Sequence, residues 1–465
     1  MNKKLNDQLI TLDQAQLISI IQTLYGHNKE VDEKIDALAV QNDLSAMQIA
    51  IAKRIHCLEY DEQFIDYQNS YDFSLNLEDI LDEIDKYIFP DEALSALTLI
   101  EQFLATDGAV MERVDDSMGC IGEIYCNAIN LWLTFAGFVR QQKLAAHINW
   151  SERVYHYFEH NDYGLFDELI PASALLLSDD ELKILACRFE SEAKKAISTG
   201  PKEPNRYNHQ ASLACLGLQA VAEALKDIKL YEHATLLRSP IPTELQKRDF
   251  AKFSLTLKQP EQAMRWLNEI WQGSVERDRI ELLEQCYQQQ GEIGKLIDSR
   301  RVKYANSPSY ARLMQLCDLC DKKEQARLCA DAVENAAAIT SLSLALELLI
   351  KLEHIAAASQ LLITRHQELA ELFYPDLIEY ANIFVKQDNI LAAILCFRTL
   401  LDDILEHGRT KAYHHAASYF NKLLALDNQL DDYLGLMSKV QYIAAVQNKH
   451  WRKHSFWQKA NYANK

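Results

Sequence analysis

Apolar residues recur at the spacing of an α-helix along almost the whole chain, and no alternating strand pattern interrupts them. The first predicted helix begins after Thr11, taken as its N-cap, and ends at Gly26, and a second is predicted from Val31. The apolar face of the first is formed by Leu12, Leu17, Ile20, Ile21 and Leu24. Further amphipathic runs cover residues 46–58, 77–88, 92–104, 121–139, 150–160 and 180–197. The pattern therefore predicts an all-α protein.

Beyond residue 205 the helical pattern repeats weakly, with a small residue early in a helix of each block. These small residues are spaced 29 to 35 residues apart, at Ala234, Ala263, Gly294, Ala326, Ala357 and Ala392. The spacing is close to that of tetratricopeptide arrays, in which a small residue lets two helices approach and a larger one, such as Leu267, Leu361 or Phe397, fills the gap. We predict a tetratricopeptide-like solenoid; the alternative is an irregular helical bundle in which alanines fall at these intervals by chance.

One stretch interrupts the helices strongly enough to mark a domain boundary. Residues 198–205, Ser-Thr-Gly-Pro-Lys-Glu-Pro-Asn, carry two prolines and a glycine. We therefore predict an acidic N-terminal α-helical domain at 1–199 and degenerate tetratricopeptide-like repeats at 205–432. A basic, aromatic capping helix is predicted at 433–465.

The formal charge of −19 is very unevenly distributed. Residues 1–200 carry a net charge of −20 and residues 201–432 carry −5. The remainder carries +6, because no acid follows Asp432. An acidic first half repels nucleic acid and favours a partner protein with a basic face.

Composition and hydropathy favour a protein of the cell interior. The first residues contain no apolar core of a secretory signal, and the longest weakly charged stretch, 124–139, is shorter than the roughly 20 apolar residues that cross a bilayer. The cysteines, ten in all, are scattered along the chain and suit a reducing cytoplasm better than a disulfide scaffold. We expect a cytoplasmic protein without a membrane partner.

One motif raises the question of an enzyme, because His156-Tyr-Phe-Glu159-His160 matches the H-x-x-E-H pattern of zinc hydrolases. On a helix the two histidines lie one turn apart and can share a metal ion, with Glu159 as general base. Such a site also needs a third ligand and an open coordination position. An ordinary helix end is favoured, because Asn161-Asp-Tyr-Gly164 stops the helix and histidines suit its negative end. We expect no metal, and keep a zinc site at His156 and His160 as an alternative.

Two further clusters have both a chemical and a structural interpretation. Asp115 and Asp116 can bind a divalent cation, but they precede an apolar helix, and capping of that helix is favoured. Cys317 and Cys320 form the only C-x-x-C pattern, with Cys329 nearby, and are predicted to be buried repeat residues. Since phosphate-binding glycine motifs and G-x-S-x-G are absent, we expect no cofactor and no catalytic residue.

The last residues combine bases with aromatic side chains. Lys449, Arg452 and Lys453 lie beside Trp451 and Trp457, and such a segment can stack on and neutralise single-stranded nucleic acid. The structural interpretation is a capping helix whose aromatic residues close the core of the last repeat. Capping is favoured, because six bases are a weak signal in a protein of net charge −19.

Several stretches resemble an uncharacterised bacterial family of helical-repeat proteins, related to the helical portion of SWIM zinc-finger proteins. They are the opening "LITLDQAQLISIIQTLYGHNKEVDEKI" and, in order, "RVDDSMGCIGE", "HNDYGLFDELI", "AYHHAASYFNKLLAL" and "KHWRKHSFW". Some relatives carry a SWIM finger, but its C-x-C and C-x-H are both absent from this chain. The resemblance therefore implies a helical-repeat fold over most of the chain and gives no reaction.

Together these observations predict a non-catalytic scaffold or adaptor that binds another protein along a helical-repeat surface. The predicted contacts to a basic partner are Asp82, Glu83 and Asp85. The first alternative is nucleic-acid binding through Lys449, Trp451, Arg452, Lys453 and Trp457. The second alternative is a zinc hydrolase that uses the H-x-x-E-H motif at 156–160.

Overall fold

The computed structural model of the chain is built from α-helices. It describes residues 9–27, 31, 32, 35, 43–200 and 208–462. This part of the chain is all-α, as predicted, and its only strand-like feature is a single parallel bridge between Ile65 and Val114. The chain divides into two compact units, 1–279 and 280–465, each with its own hydrophobic core. Within the described ranges, no helix combines the length and the apolar character needed to cross a bilayer.

The helices are numbered in chain order. The first unit contains α1 (Gln14–Leu24), α2 (Leu44–Tyr60), α3 (Ser70–Glu83), α4 (Ala93–Leu104), α5 (Asp107–Arg113), α6 (Cys120–Gln141), α7 (Trp150–Glu159), α8 (Leu169–Ala172), α9 (Asp179–Thr199), α10 (His209–Leu225), α11 (Ile228–Arg238), α12 (Glu244–Thr256) and α13 (Pro260–Leu267). The division falls within α14 (Val275–Gln290). The second unit contains α15 (Ile293–Asn306), α16 (Tyr310–Cys317), α17 (Lys322–Asn335), α18 (Leu342–Lys351), α19 (Ile355–Thr364), α20 (Tyr374–Lys386), α21 (Ile390–Glu406), α22 (Tyr413–Leu426), α23 (Lys439–His450) and α24 (His454–Lys459).

The first predicted helix is correct in position but wrong in its start. Asp13, not Thr11, caps α1: the backbone N–H of Gln16 donates to the Asp13 side chain at 2.8 Å, and the backbone N–H of Asp13 donates to the Gln16 side chain at 3.0 Å. In this reciprocal pair the partner stands three residues after the cap. Thr11 has Gln14 at the same interval, so the sequence alone does not distinguish the two caps. None of the residues of α1 is buried, so its apolar face is not core. The second predicted helix, from Val31, lies largely outside the described residues.

The run predicted at 77–88 begins earlier in the structure. α3 begins at Ser70, and beyond its end a π-helical turn covers Ile84–Ile88. The early turns place Ser70 and Ser74 inward, where both are buried and donate to backbone carbonyls one turn back. Because polar side chains occupy these inward positions, the apolar pattern does not reveal this part of the helix.

The core of the first unit includes α6 and the α9–α10 pair. Trp132 and Phe135 of α6 are fully buried. At Gly217 of α10, an added Cβ atom would lie 2.5 Å from the ring of Phe189 on α9. Since any side chain there would force the two helices apart, this glycine sets their spacing.

In the second unit, α21 packs against α20 and α22 and anchors the segment that follows them. Arg398 of α21 is buried, donates to the carbonyl oxygen of Met437 at 2.7 Å and lies 3.5 Å from Asp427. One turn later, Asp402 accepts a hydrogen bond of 2.8 Å from the hydroxyl of Tyr442. These polar contacts fasten residues beyond α22 to the middle of the core.

The C-terminal segment forms two helices, α23 and α24, and not the single capping helix predicted. Between them the chain turns back, and the indole N–H of Trp457 donates to the carbonyl oxygen of His450 at 3.0 Å. Phe456 and Trp457 are buried, and both contact the ring of Phe420 on α22. The aromatic residues of this segment therefore belong to the core of the second unit.

Half of the small residues aligned in the predicted repeat are buried in helices. The fully buried ones are Ala234, Ala263 and Ala392. The exposed ones, at which the alignment is wrong, are Gly294, Ala326 and Ala357. Beside the last of these, Ala358 is the buried residue, because one residue turns a helix by about 100°. The solenoid stays a prediction.

The predicted boundary at 198–205 also stays a prediction. Residues 201–207 lie outside the described residues. On its N-terminal side, α9 ends at Thr199, and on its C-terminal side α10 begins at His209.

Candidate interaction surface

A group of apolar side chains lies exposed between the end of α2 and the middle of α3. Each is between 41% and 66% exposed: Tyr60, Phe64, Tyr67, Tyr71 and Leu75. The acidic side chains exposed among them are Asp61, Glu62, Asp66, Asp72, Glu78 and Asp82. We call these residues together the acidic aromatic surface.

The loop at 61–69, which carries part of this surface, is fixed from behind by Arg113. This side chain is buried and donates to the carbonyl oxygens of Gln63 and Leu58, at 3.3 and 3.4 Å. Its guanidinium carbon also lies 5.2 Å from the ring centre of Phe73 on α3. One buried cation thus joins the end of α2, the loop and α3.

The loop backbone is fixed as well. The N–H of Ile65 donates to the carbonyl oxygen of Arg113, and its carbonyl oxygen accepts from the N–H of Asp115, both at 2.9 Å. Phe64 and Tyr67, on either side of this contact, are 64% and 52% exposed. The two aromatic side chains are therefore held outward by an ordered backbone.

Replacing Arg113 by alanine is expected to release the loop. The change removes two hydrogen bonds to carbonyls, of which the one to Leu58 is buried, so the free energy of unfolding should fall by about 1–3 kcal/mol. Hydrogen exchange should accelerate at 61–69 and remain slow in the helices of the core. The exposed Arg452 provides the control, since Arg452→Ala should change neither quantity. Unchanged exchange in the loop of the Arg113→Ala variant would contradict the anchoring role.

The surface continues along α3. Its exposed face runs through Tyr71, Leu75, Glu78 and Asp82. Intervals of four, three and four residues place them in one row on a helix. Residues 59–85 contain ten acids and no base. The apolar side chains Tyr71 and Leu75 lie at the N-terminal end of this row, and the acids Glu78 and Asp82 lie at its C-terminal end.

One of the three predicted contact residues is wrong. Glu83 is 4% exposed, and its carboxylate pairs with the Arg54 guanidinium at 2.6 Å. It therefore ties α2 to α3 and does not face a partner. Asp82 is exposed and pairs with Lys86 one turn later at 2.5 Å, and Asp85 is half-buried.

The H-x-x-E-H residues lie at the end of α7. His156 and His160 are exposed, with ring centres 4.3 Å apart. The Nδ1 atom of His160 lies 2.9 Å from the carbonyl oxygen of His156, so this ring contacts a backbone carbonyl in the last turn of its own helix. In the part of the chain that the structure describes, no three His, Cys, Asp or Glu side chains are grouped to hold a metal ion. The zinc-hydrolase interpretation has no third ligand there.

Capping by Asp116 is confirmed. Its Oδ1 accepts from the N–H of Ile121 and its Oδ2 from the N–H of Gly122, both at 2.9 Å. The neighbouring Asp115 accepts from the N–H of Ser117 at 3.2 Å. Asp116 therefore satisfies backbone donors in the first turn of α6, and Asp115 satisfies one in the loop that precedes it.

The cysteines of the C-x-x-C region lie at the turn between α16 and α17. Cys317 is buried, as predicted, whereas Cys320 and Cys329 are half-buried. The side-chain amide of Gln325 donates to the carbonyl oxygens of Cys317 and Cys320, each at 2.9 Å, which closes the turn. Burial, with a contribution from Cys329, raises the pKa of the Cys317 thiol to about 12. Cys317 is therefore a protonated packing residue at neutral pH.

Three of the candidate nucleic-acid contacts are engaged within the second unit. Trp457 is 4% exposed, with its ring against the aromatic core. Lys449 forms an ion pair with Glu406 of α21. The Lys453 ammonium lies 3.3 Å from the hydroxyl of Tyr413.

The other two contacts form one exposed pair. Trp451 is 53% exposed, and the Arg452 guanidinium lies 4.9 Å from its ring centre. Binding of a single strand uses several successive stacking positions, of which this pair offers one.

Comparison with known proteins gives one match. A search of the curated proteins and a search of the solved structures both found nothing similar. A family model described as a family of unknown function, DUF6880, matches residues 2–459. The chain belongs to this family. The prediction of an uncharacterised family is thereby confirmed, whereas a relation of DUF6880 to SWIM zinc-finger proteins and a bacterial origin stay predictions.

Sequence reasoning missed Phe64, Tyr67 and Arg113. The available signal is the stretch "DEQFIDYQN" at 61–69, in which two aromatic residues and an isoleucine stand among acids without a helical period. Arg113 carries no such signal, because its role depends on a contact across 50 residues of sequence. In this DUF6880 chain, the structure is therefore needed to show that the exposed aromatic residues form one surface.

Proposed function

We propose that the chain is a non-catalytic protein-interaction scaffold whose acidic aromatic surface binds a basic partner segment that also carries apolar side chains. The observation that carries this proposal is the exposure of Phe64 and Tyr67 on a loop fixed by the buried Arg113. Removing large apolar side chains from water lowers the free energy, so such side chains on a fixed, exposed loop favour binding of a partner that covers them.

The chemistry of the surface selects the partner. The exposed acids of the acidic aromatic surface attract a basic segment and mainly accelerate its association. Buried aromatic side chains supply most of the binding free energy at protein interfaces. Because the loop is ordered before binding, little conformational entropy is lost there. The partner segment therefore needs lysine or arginine residues next to aliphatic or aromatic ones.

The test is a titration of the purified full-length chain with labelled peptides that combine lysine, arginine and leucine at varied spacings. Phe64→Ala with Tyr67→Ala is expected to weaken binding at least about tenfold, because two anchors are removed. The matched control is Phe373→Ala with Tyr374→Ala, an adjacent aromatic pair in the second unit that is 65% and 59% exposed. The control variant should bind as the original chain does.

Two results would contradict the proposal. One is equal weakening by both double variants, which would show that any exposed aromatic pair captures these peptides. The other is undiminished binding by the Phe64→Ala, Tyr67→Ala variant, which would place the binding site elsewhere.

A further inference from the structure

A shallow groove of about 690 Å³ crosses the outer face of α22 in the second unit. It is lined by His414, Ala417, Ser418, Asn421, Lys422 and Ala425 of α22 and by Lys459 of α24. We call it the basic groove. Its small side chains leave room for another helix to approach closely, as small residues do where helices pack at short distance.

The groove is positive as well as shallow. None of its lining residues is acidic, and Lys422 and Lys459 are both exposed. Residues 407–465 contain nine lysine and arginine residues against three acids. One of those acids, Asp427, is buried beside Arg398 and accepts a hydrogen bond from Tyr433. Lys449 and Arg409 pair with Glu406 and Asp403 of α21. Lys422 and Lys459 of the groove are exposed and attract an acidic surface.

The two units differ in net charge. Residues 1–279 hold 27 bases and 45 acids, a net of −18, and residues 280–465 hold 21 bases and 22 acids, a net of −1. Two first units repel each other, whereas a first unit and a second unit carry almost no mutual repulsion. Charge therefore opposes contact between two first units and opposes contact that involves a second unit much less.

We propose that the acidic aromatic surface of one copy binds the basic groove of a second copy. The row formed by Tyr71, Leu75, Glu78 and Asp82 lies on one helical face, which suits insertion of α3 into a groove. Its apolar residues meet the small residues of the groove, and its two acids meet the two lysines. This inference rests on the proposed function, since it names the partner of the same surface.

The geometry of such a contact has a consequence for assembly. The two surfaces are different patches of the same chain, so each copy retains one free patch of each kind after the first contact. Contacts of this type close into rings or grow into chains of copies. The assembly should therefore increase in mass with protein concentration.

The test uses two variants of the full-length chain and sedimentation velocity. Variant one, Tyr71→Ala with Leu75→Ala, lacks the apolar anchors and keeps the groove. Variant two, Lys422→Glu with Lys459→Glu, lacks the basic groove and keeps the surface. Each alone is expected to sediment as a monomer at concentrations where the original chain assembles. An equimolar mixture should form one-to-one dimers that grow no further, because only one intact pair of patches remains.

The matched control is Lys322→Glu with Lys323→Glu. These two exposed lysines lie on α17, outside the groove, and their reversal changes the net charge by the same amount. The control should assemble as the original chain does. Assembly lost equally in this control would overturn the proposal, because net charge alone would then explain the effect.

Other outcomes separate this inference from the proposed function. A monomeric original chain that still binds the basic peptides through Phe64 and Tyr67 overturns self-association and leaves the proposed function standing. Assembly by either variant alone overturns the pairing of these two patches. A mixture of the variants that stays monomeric overturns it as well.

Discussion

Replacing Trp457 by alanine is expected to lower the free energy of unfolding of the second unit by about 3–5 kcal/mol. The side chain is 4% exposed, and its ring packs against Phe456, Phe420 and Tyr462. Its loss leaves a large cavity in the aromatic core and removes the hydrogen bond to the carbonyl oxygen of His450. Urea unfolding followed by circular dichroism measures the change.

Trp451 provides a control of the same residue type in the same segment. Because it is 53% exposed, Trp451→Ala should change the free energy of unfolding by less than about 0.5 kcal/mol. A Trp457→Ala variant as stable as the Trp451→Ala variant would show that the C-terminal helices do not complete the core. It would also restore Trp457 as a residue that can stack on nucleic acid.

The second large effect is a pH dependence of the stability of the second unit. Asp402 on α21 is half-buried, and its partial removal from water raises the pKa of its carboxyl group from 3.8 to about 6. The protonated form is therefore favoured by folding. Its stabilisation is complete below about pH 4 and is lost as the pH rises through about 6. A difference of about two in pKa corresponds to about 3 kcal/mol.

Asp402→Asn is expected to raise the free energy of unfolding at pH 7 by up to about 3 kcal/mol. Asparagine keeps an oxygen that accepts the 2.8 Å hydrogen bond from Tyr442, and it buries no charge. Urea unfolding of both chains from pH 4 to pH 7 should show stability curves that converge at the acid end. Asp431→Asn, at an exposed position, serves as the control and should follow the original chain. Parallel curves for Asp402→Asn and the original chain would contradict the raised pKa.

The fold class follows from sequence where apolar positions repeat over many turns. The run predicted at 121–139 matches α6 to within two residues at each end, because its inward positions are apolar throughout. The first turns of α3 escape prediction because Ser70 and Ser74 occupy inward positions. The break between α23 and α24 escapes it too, because it accompanies the packing of Phe456 and Trp457 against Phe420 of α22, which no local pattern encodes.

The candidate surface shows the same division between local and tertiary information. The acidity of the first half is visible in the sequence, and Asp82 is exposed as predicted. Glu83, one residue later, points inward because successive residues of a helix are turned by about 100°. Its partner Arg54 lies 29 residues earlier, so the sequence alone cannot tell which acid is turned toward the core. The exposure of Phe64 likewise depends on Arg113, which is distant in sequence.

If residues 60–82 form a protein-binding surface, a bound peptide shields their backbone amides from exchange with solvent. The most direct measurement is hydrogen exchange of the full-length chain, free and saturated with the tightest-binding basic peptide, followed by mass spectrometry. We expect slower exchange in the loop at 61–69 and in the first turns of α3, with no change in α20, which begins at Tyr374 of the control pair. Protection confined to the second unit, or absent from 60–82, would contradict this expectation.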